Sequence, residues 1–247
     1  MKIATYNIWN NDFLFKERIE AICNEINEVQ ADIICLQEVR NDKQMDIIKT
    51  IADYANYPFY IFKVYPDCID EGLAILSKFE LNDVKCVWET NTDISNYCAI
   101  RVLVNNDGKY IGITNLHLNW RSEDIRLEQL KEVNNWININ CKSNCNEIMC
   151  GDFNDVPSSS IYKFLTESGW YDALKSYQDK KTETLCSFDL VDNPYLKNDV
   201  RPKEKLLYDW IMVNNSNVTV KKCNVFGHQK LKSNVVASDH YGIYIEI

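Results

Sequence analysis

Apolar and polar positions along this chain first predict a strand, a helix and a second strand. Residues Met1 to Trp9 read as a buried strand. Over 15–30, Ile19, Ile22, Ile26 and Val29 recur at spacings of three, four and three, which puts them on one helical face. Ala31 to Val39 is nearly all apolar, as expected of a strand covered on both sides, so this opening predicts a βαβ-type unit with a helix on a sheet. Helical character returns over 44–55 and extended character over 58–65. Further strands are predicted at 71–79, 82–90, 97–105 and 109–118, with Asn106-Asp107-Gly108 as the hairpin turn before the last. From Ser122 a long helix keeps Ile125, Gln129, Leu130, Val133 and Ile137 in phase. A strand at 147–153, a short helix at 159–167 and strands at 207–213, 218–226 and 241–247 follow. About ten strands are more than one twisted sheet holds comfortably. The expectation is an α/β (α+β) fold, two sheets packed face to face with helices outside, in a single domain over 1–247. The stretch 175–206 has little periodicity, and long irregular loops in compact domains are often functional.

Composition narrows this picture. With 247 residues, 46% apolar and 26% charged, the chain has the balance of an ordinary globular protein with a large core. The formal charge is −9, from 27 basic and 36 acidic residues, and basic residues come in scattered pairs such as Lys180-Lys181 and Lys221-Lys222. That lacks the clustered basic face of a tight, non-specific nucleic-acid binder. A nuclease is still compatible with it, because divalent ions offset local repulsion. Ten cysteines stand at 23, 35, 68, 86, 98, 141, 145, 150, 186 and 223, several in apolar strand or helix positions such as Ile33-Ile34-Cys35-Leu36. Reduced, buried thiols in a cytoplasmic protein are expected. The run Cys141, Cys145, Cys150 lacks the paired CxxC spacing of a structural zinc site. Met-Lys-Ile-Ala-Thr-Tyr-Asn already reads as a strand, with no signal-peptide-like segment before it. No apolar run reaches the ~18 residues that would span a bilayer. A monomer without stable membrane insertion is expected.

The candidate chemistry lies where strands end. Asn7 closes the first strand and Glu38 follows Ile-Ile-Cys-Leu-Gln. Gly151-Asp152-Phe153-Asn154-Asp155 follows a strand, and Ser238-Asp239-His240 precedes the last one. Each alone has a plain structural explanation: a turn cap, a solvated carboxylate, an Asx-type turn or a hairpin. Together they are harder to dismiss, because strand after strand ends in Asn, Glu, His, Asp/Asn, Asp and Asp-His. Two of the three histidines, His117 and His240, sit at such ends, whereas His228 reads as a surface-loop residue. Converging carboxylates and imidazoles suit hydrolysis of a phosphate ester. Carboxylates bind a hard cation, a carboxylate or imidazole activates water, and cationic or amide donors stabilise the phosphoryl oxygens.

In this order the segments Thr5-Tyr6-Asn7-Ile8-Trp9, Leu36-Gln37-Glu38-Val39, Glu71-Gly72-Leu73-Ala74-Ile75-Leu76-Ser77, Asn115-Leu116-His117-Leu118, Gly151-Asp152-Phe153-Asn154, Tyr208-Asp209-Trp210-Ile211 and Ser238-Asp239-His240 resemble the endonuclease/exonuclease/phosphatase superfamily. The resemblance implies a four-layer sandwich of two mixed sheets flanked by helices. It implies Mg²⁺ or Mn²⁺ held by Glu38, with Asp239 and Asn7 contributing. His240, oriented by Asp209, would act on the attacking water or the phosphate. Asp152 and Asn154 would position the nucleophile and bind phosphoryl oxygens, and His117 would face the scissile phosphate. Asn-Leu-His-Leu is similar to the deoxyribonuclease I-like, neutral sphingomyelinase-like, deadenylase and inositol-phosphatase branches rather than the apurinic-site endonuclease branch. In the deoxyribonuclease branch, a glutamate at the place of Glu71 pairs with the histidine at the place of His117. Where the family often has Arg-x-Asp-Tyr-Ile, this chain has Leu207-Tyr208-Asp209-Trp210-Ile211 and lacks the arginine. The resemblance implies a metal-dependent hydrolase, most naturally a phosphodiesterase, acting by in-line attack of water. The alternative is a binding protein of the same fold without catalysis. Nucleic acid, a phospholipid head group and a small phosphodiester or phosphomonoester all stay open as substrates. Asp152 is favoured over His240 as the base.

Overall fold

The computed structural model describes the chain apart from residues 67, 88–98, 141–144, 179–184, 216–217 and 232–234. Its elements run β1 (Lys2–Asn7), α1 (Phe15–Val29), β2 (Ile33–Arg40), α2 (Ile47–Ala55), β3 (Phe59–Tyr65), β4 (Cys68–Ser77), β5 (Asn82–Val87), β6 (Ala99–Asn106), β7 (Lys109–His117), α3 (Glu123–Asn140), β8 (Asn146–Asp152) and α4 (Ser160–Glu167). Then come β9 (Tyr171–Asp172), α5 (Lys175–Gln178), β10 (Phe188–Asp189), β11 (Lys205–Leu206), β12 (Asp209–Val213), β13 (Lys222–Phe226) and β14 (Gly242–Glu246).

The strands form two six-stranded sheets, ordered β13-β14-β1-β2-β4-β3 and β5-β6-β7-β8-β12-β9, and β10 pairs with β11 in a small ribbon. Each large sheet has one parallel pair at its centre, β1/β2 and β7/β8, and its remaining ladders are antiparallel. Helix α1 makes the first parallel crossover and α3 the second, so the βαβ unit read from the opening residues occurs twice. Ile19, Ile22, Ile26 and Val29 of α1 pack with α2 against Ala4, Tyr6, Ile34 and Leu36. Leu130, Val133 and Ile137 of α3 and Ile161 and Leu165 of α4 belong with the second sheet. The result is the sandwich of two mixed sheets with helices outside. Among the described residues no helix is long and apolar enough to cross a membrane.

Between the sheets the core is apolar except near one end. There Gln37 donates to the Asn115 side-chain oxygen at 2.7 Å, and the Asn115 amide reaches the Leu36 and Ala74 carbonyls at 2.9 Å each. Both side chains are fully buried, and buried polar groups are tolerated when they are paired in this way. This brace fixes how the two sheets meet just below the candidate site. The eight described cysteines, including Cys35 and Cys150 facing each other across the core, are free thiols. Cys98 and Cys141 lie outside the described residues.

Some sequence-based boundaries shift. The strand expected over 218–226 begins only at Lys222, and the one expected from 71 starts at Cys68. The long aperiodic stretch from 175 contains α5, β10, β11 and a 3₁₀ turn at Pro194–Leu196.

Candidate active site

Parallel strands expose their carboxyl ends at the same edge of a sheet, where ligands of α/β folds commonly bind. Here the two parallel pairs bring Asn7 and Glu38 from one sheet and His117 and Asp152 from the other to the same end of the sandwich. The antiparallel neighbours start at that end, so Asp209 opens β12 and His240 lies just before β14. In the ladders Asp152 is paired with His117 on one side and with Asp209 on the other. Gly151 permits this close pairing: a Cβ there would stand 1.9 Å from the Leu116 carbonyl oxygen, at φ +149°.

Glu38 is placed by a local distortion. The register of β2 against β4 slips between Leu36 and Val39, and Glu38 takes φ +53°, a left-handed backbone unusual outside glycine. A bulge of this kind re-aims a side chain and is common next to active sites. Asn154, also at φ +53°, closes the turn after β8: its backbone N–H donates to Asp152 Oδ1 at 2.8 Å and its amide to the Leu118 carbonyl at 2.9 Å.

The side chains converge on the other oxygen of Asp152. Asn7 Nδ2 donates to Asp152 Oδ2 at 2.9 Å and to Glu38 Oε1 at 3.0 Å, while its own oxygen accepts from the Trp9 backbone at 3.0 Å. Asn7 therefore bridges two carboxylates and turns its amide nitrogen toward them. His117 Nε2 and His240 Nε2 each stand 3.7 Å from the same Asp152 Oδ2, and His117 Nε2 is 4.0 Å from Glu38 Oε1. On its far side His240 Nδ1 is hydrogen-bonded to Asp209 Oδ2 at 2.9 Å. Asp152, Asp209 and both imidazoles are buried, whereas the Glu38 side chain keeps 23% exposure and so stays accessible to a ligand.

Charge follows from this packing. Burial alone would lower the His240 pKa, but the Asp209 and Asp152 carboxylates outweigh it and push it up to about 10, so the ring is an imidazolium at neutral pH. Burial pushes Asp209 up to about 6 against the pull of His240. Burial likewise takes Asp239 up to about 7, opposed by His240 and reinforced by the Glu38 charge. Glu71 is raised by burial and then by Glu38, while a hydrogen bond from the Asn10 side chain holds it down. Glu38, Glu71 and Asp239 thus crowd negative charge into one corner.

A hard divalent cation fits that corner, since the donors are carboxylate oxygens and the repulsion among them is what such an ion relieves. By distance alone Asp152, Asp209 and His240 could also share an ion, their donor atoms lying within 4.8 Å of one another. Within that trio His240 Nδ1 and Asp209 Oδ2 are already hydrogen-bonded to each other at 2.9 Å. The resemblance seen in the sequence implies Glu38 and Asp239 as the ligands instead. Asn7, with its oxygen engaged by Trp9, holds Glu38 in place.

Further residues around these complete the site. Tyr65 places its hydroxyl 3.0 Å from His117 Nδ1. Glu71, expected by resemblance to pair with that ring, lies near enough to interact with it through charge. Ser187 accepts from the Tyr208 and Asp209 backbone N–H groups at 3.0 Å each, and its carbonyl accepts from Tyr241 at 2.7 Å. Asn193 donates to the Ser238 and Asp239 carbonyls at 3.1 and 3.0 Å. Ser238 in turn donates to the Asn7 carbonyl at 2.7 Å. The aperiodic stretch therefore acts as a strap that fixes the Asp209–His240 pair and the Asp239 turn. Buried Arg18 donates to the Trp9, Asn11 and Phe13 carbonyls and holds the loop that follows Asn7. His228 is exposed.

Known proteins share the sequence pattern and the fold of this chain. The family model described as Endonuclease/Exonuclease/phosphatase family matches residues 4–240. Protein angel homolog 2 of Homo sapiens is 33% identical over 199 residues, covering 67% of this chain and 36% of its own length. The chain spans about a third of the length of the angel homolog 2 relatives it matches. Among solved structures, D. rerio TDP2 complexed with a single-strand DNA product superposes with a TM-score of 0.79 at 17% identity, over 99% of this chain and 97% of that one. A mannosyl-6-phosphatase of Bacteroides thetaiotaomicron superposes with a TM-score of 0.76 at 20% identity, over 100% and 98%. At these identities the structural likeness shows the shared fold.

Proposed function

The chain belongs to the endonuclease/exonuclease/phosphatase family, and from that premise we propose that it is a divalent-metal-dependent hydrolase of phosphate ester bonds, a phosphodiesterase that works by in-line attack of water. The observation that carries the proposal is the meeting of two imidazoles on one carboxylate oxygen, Asp152 Oδ2, at 3.7 Å each, beside a carboxylate corner that suits a cation. A ligand-binding protein has no evident need for a buried carboxylate between two imidazoles, one of them held charged by a second carboxylate.

In this reading Asp152 takes a proton from the attacking water. His240 is a poor base, since Asp209 keeps it protonated; it serves instead as a fixed positive donor to the phosphoryl oxygens, with His117 donating from the other side. Asn154 and Asn7 hold Asp152 in place. Glu38 and Asp239 would hold Mg²⁺ or Mn²⁺, which supplies charge neutralisation at phosphorus. The water oxygen forms the new P–O bond as the leaving oxygen departs opposite it. Positioning and charge stabilisation dominate such reactions. In this reading water attacks phosphorus directly, without a covalent phosphoenzyme.

A net charge of −9 favours substrates gripped locally at the phosphate over long backbone contacts with nucleic acid. The DNA product bound to TDP2 and the sugar phosphate in the name of the Bacteroides neighbour mark two substrate chemistries for this fold. A nucleic-acid end, a phospholipid head group and a small phosphodiester are the classes to test. A cytoplasmic location goes with the proposal, supported by the free thiols among the described residues.

The test is phosphate-ester cleavage across plasmid DNA, RNA, sphingomyelin, inositol phosphates and bis-p-nitrophenyl phosphate, with Mg²⁺ and with excess chelator. Turnover of at least one diester, lost in chelator and restored by Mg²⁺, is expected. Full activity in chelator, or no hydrolysis of any of them, sinks the proposal.

A further inference from the structure

The edge strand β3 is irregular at one place. It runs antiparallel to β4 from Phe59 opposite Ser77 to Val64 opposite Gly72; the register then jumps and Tyr65 pairs with Cys68. Just before the jump the backbones are in close contact, since a Cβ on Gly72 would lie 2.1 Å from the Lys63 carbonyl oxygen. Along the same strand Phe59 and Tyr60 are exposed, whereas Tyr65 is 1% exposed. Tyr65 lies on the same face of β3 as Ile61, and that face packs into the core shared with the second sheet, so the ring at the end of this edge strand points inward. A buried tyrosine hydroxyl needs a hydrogen-bond partner, and His117 Nδ1 lies 3.0 Å away.

The direction of that bond follows from the other ring nitrogen. His117 Nε2 faces two acceptors, Asp152 Oδ2 at 3.7 Å and Glu38 Oε1 at 4.0 Å. A proton on Nε2 is attracted by both carboxylates, and a lone pair there is repelled by both. With the proton on Nε2, Nδ1 is the acceptor and the phenol, whose O–H rotates to suit, is the donor. We propose that Tyr65 is a positioning residue for this site: its hydroxyl donates to His117 Nδ1, fixes the Nε2–H tautomer, and aims that N–H into the gap between Asp152 and Glu38 where a phosphoryl oxygen would sit. A carboxylate in the same place would accept from Nδ1 and demand the opposite arrangement. Tyr65 and Glu71 as partners of His117 therefore predict different protons on the ring.

The inference rests on the phosphoesterase reading for its kinetic consequence alone; the tautomer is measurable without a substrate. The chain has only three histidines, so ¹⁵N-histidine labelling gives three imidazoles, and His117→Gln and His228→Gln assign them. In its neutral form the wild-type His117 ring should carry its proton on Nε2, and Tyr65→Phe should shift that form to a mixture of tautomers. If a substrate has been found, Tyr65→Phe should lower kcat by roughly tenfold with KM nearly unchanged, as the loss of an orienting partner does. A proton on Nδ1 in the wild type overturns the proposal even if the variant fails to fold. So does a His117 spectrum that Tyr65→Phe leaves unaltered. Failure of the enzyme reading would show separately, as a wild type that hydrolyses nothing while the tautomer still decides on Tyr65.

Discussion

The two imidazoles of the site approach the same oxygen at the same distance, 3.7 Å, but from opposite sheets and with different partners behind them. Behind His240 is a buried carboxylate, Asp209, at 2.9 Å, which keeps the ring charged. Behind His117 is a neutral phenol, Tyr65, at 3.0 Å, which orients the ring without adding charge. One residue type thus has two settings, a fixed cation and an aimed donor. Asp152 lies between them, and in the proposed mechanism it is the group that takes the proton of the attacking water. The distal hydrogen bond sets what a histidine does, more than its distance from the reacting atoms.

The comparison can be broken hardest at its shared point. Asp152→Ala removes the acceptor both rings face, and kcat should fall ~10²–10⁴-fold, the range for a positioned general base. A variant within threefold of wild type would mean that the rings serve something else. The next effect separates the partners. Asp209→Asn should cost His240 its charge support and lower kcat substantially, yet Asp209→Asn/His240→Ala should be little worse than His240→Ala, because the two act as one unit. Additive losses in that cycle would show Asp209 working independently of the ring. The smallest effect is at the strap. Ser187→Ala removes the hydroxyl that accepts from two backbone N–H groups at the start of β12, including that of Asp209. At about 1 kcal/mol for such a bond, a severalfold loss of kcat is expected. A parallel measurement of thermal stability shows whether the loss is local to the site.

Much of this was legible in the sequence, for reasons that can be named. The α1 face of Ile19, Ile22, Ile26 and Val29 and the apolar run of β2 carry their periods openly, so the first parallel crossover could be read directly. The strand-end residues stood out because polar groups after apolar runs must lie at a sheet edge. Tyr65 was illegible: the alternation of Phe59–Tyr65 puts it on one face of β3, but nothing local says that this face meets His117 of the other sheet. Ser187 and Asn193 lie in an aperiodic stretch whose order comes from two-residue strands and hydrogen bonds to distant loops, and local pattern carries no record of those. The left-handed backbone of Glu38 is likewise a tertiary imposition, although the residue itself was visible.

In the proposed mechanism His240 is a working group of the site and exposed His228 is a bystander. The decisive measurement is kcat for the substrate selected by the hydrolysis panel, compared among wild type, His240→Ala and His228→Ala at saturating Mg²⁺. The prediction is a ~10²–10⁴-fold loss for His240→Ala and a rate within twofold of wild type for the exposed His228→Ala. A wild-type rate in His240→Ala, or an equal loss in His228→Ala, would contradict it.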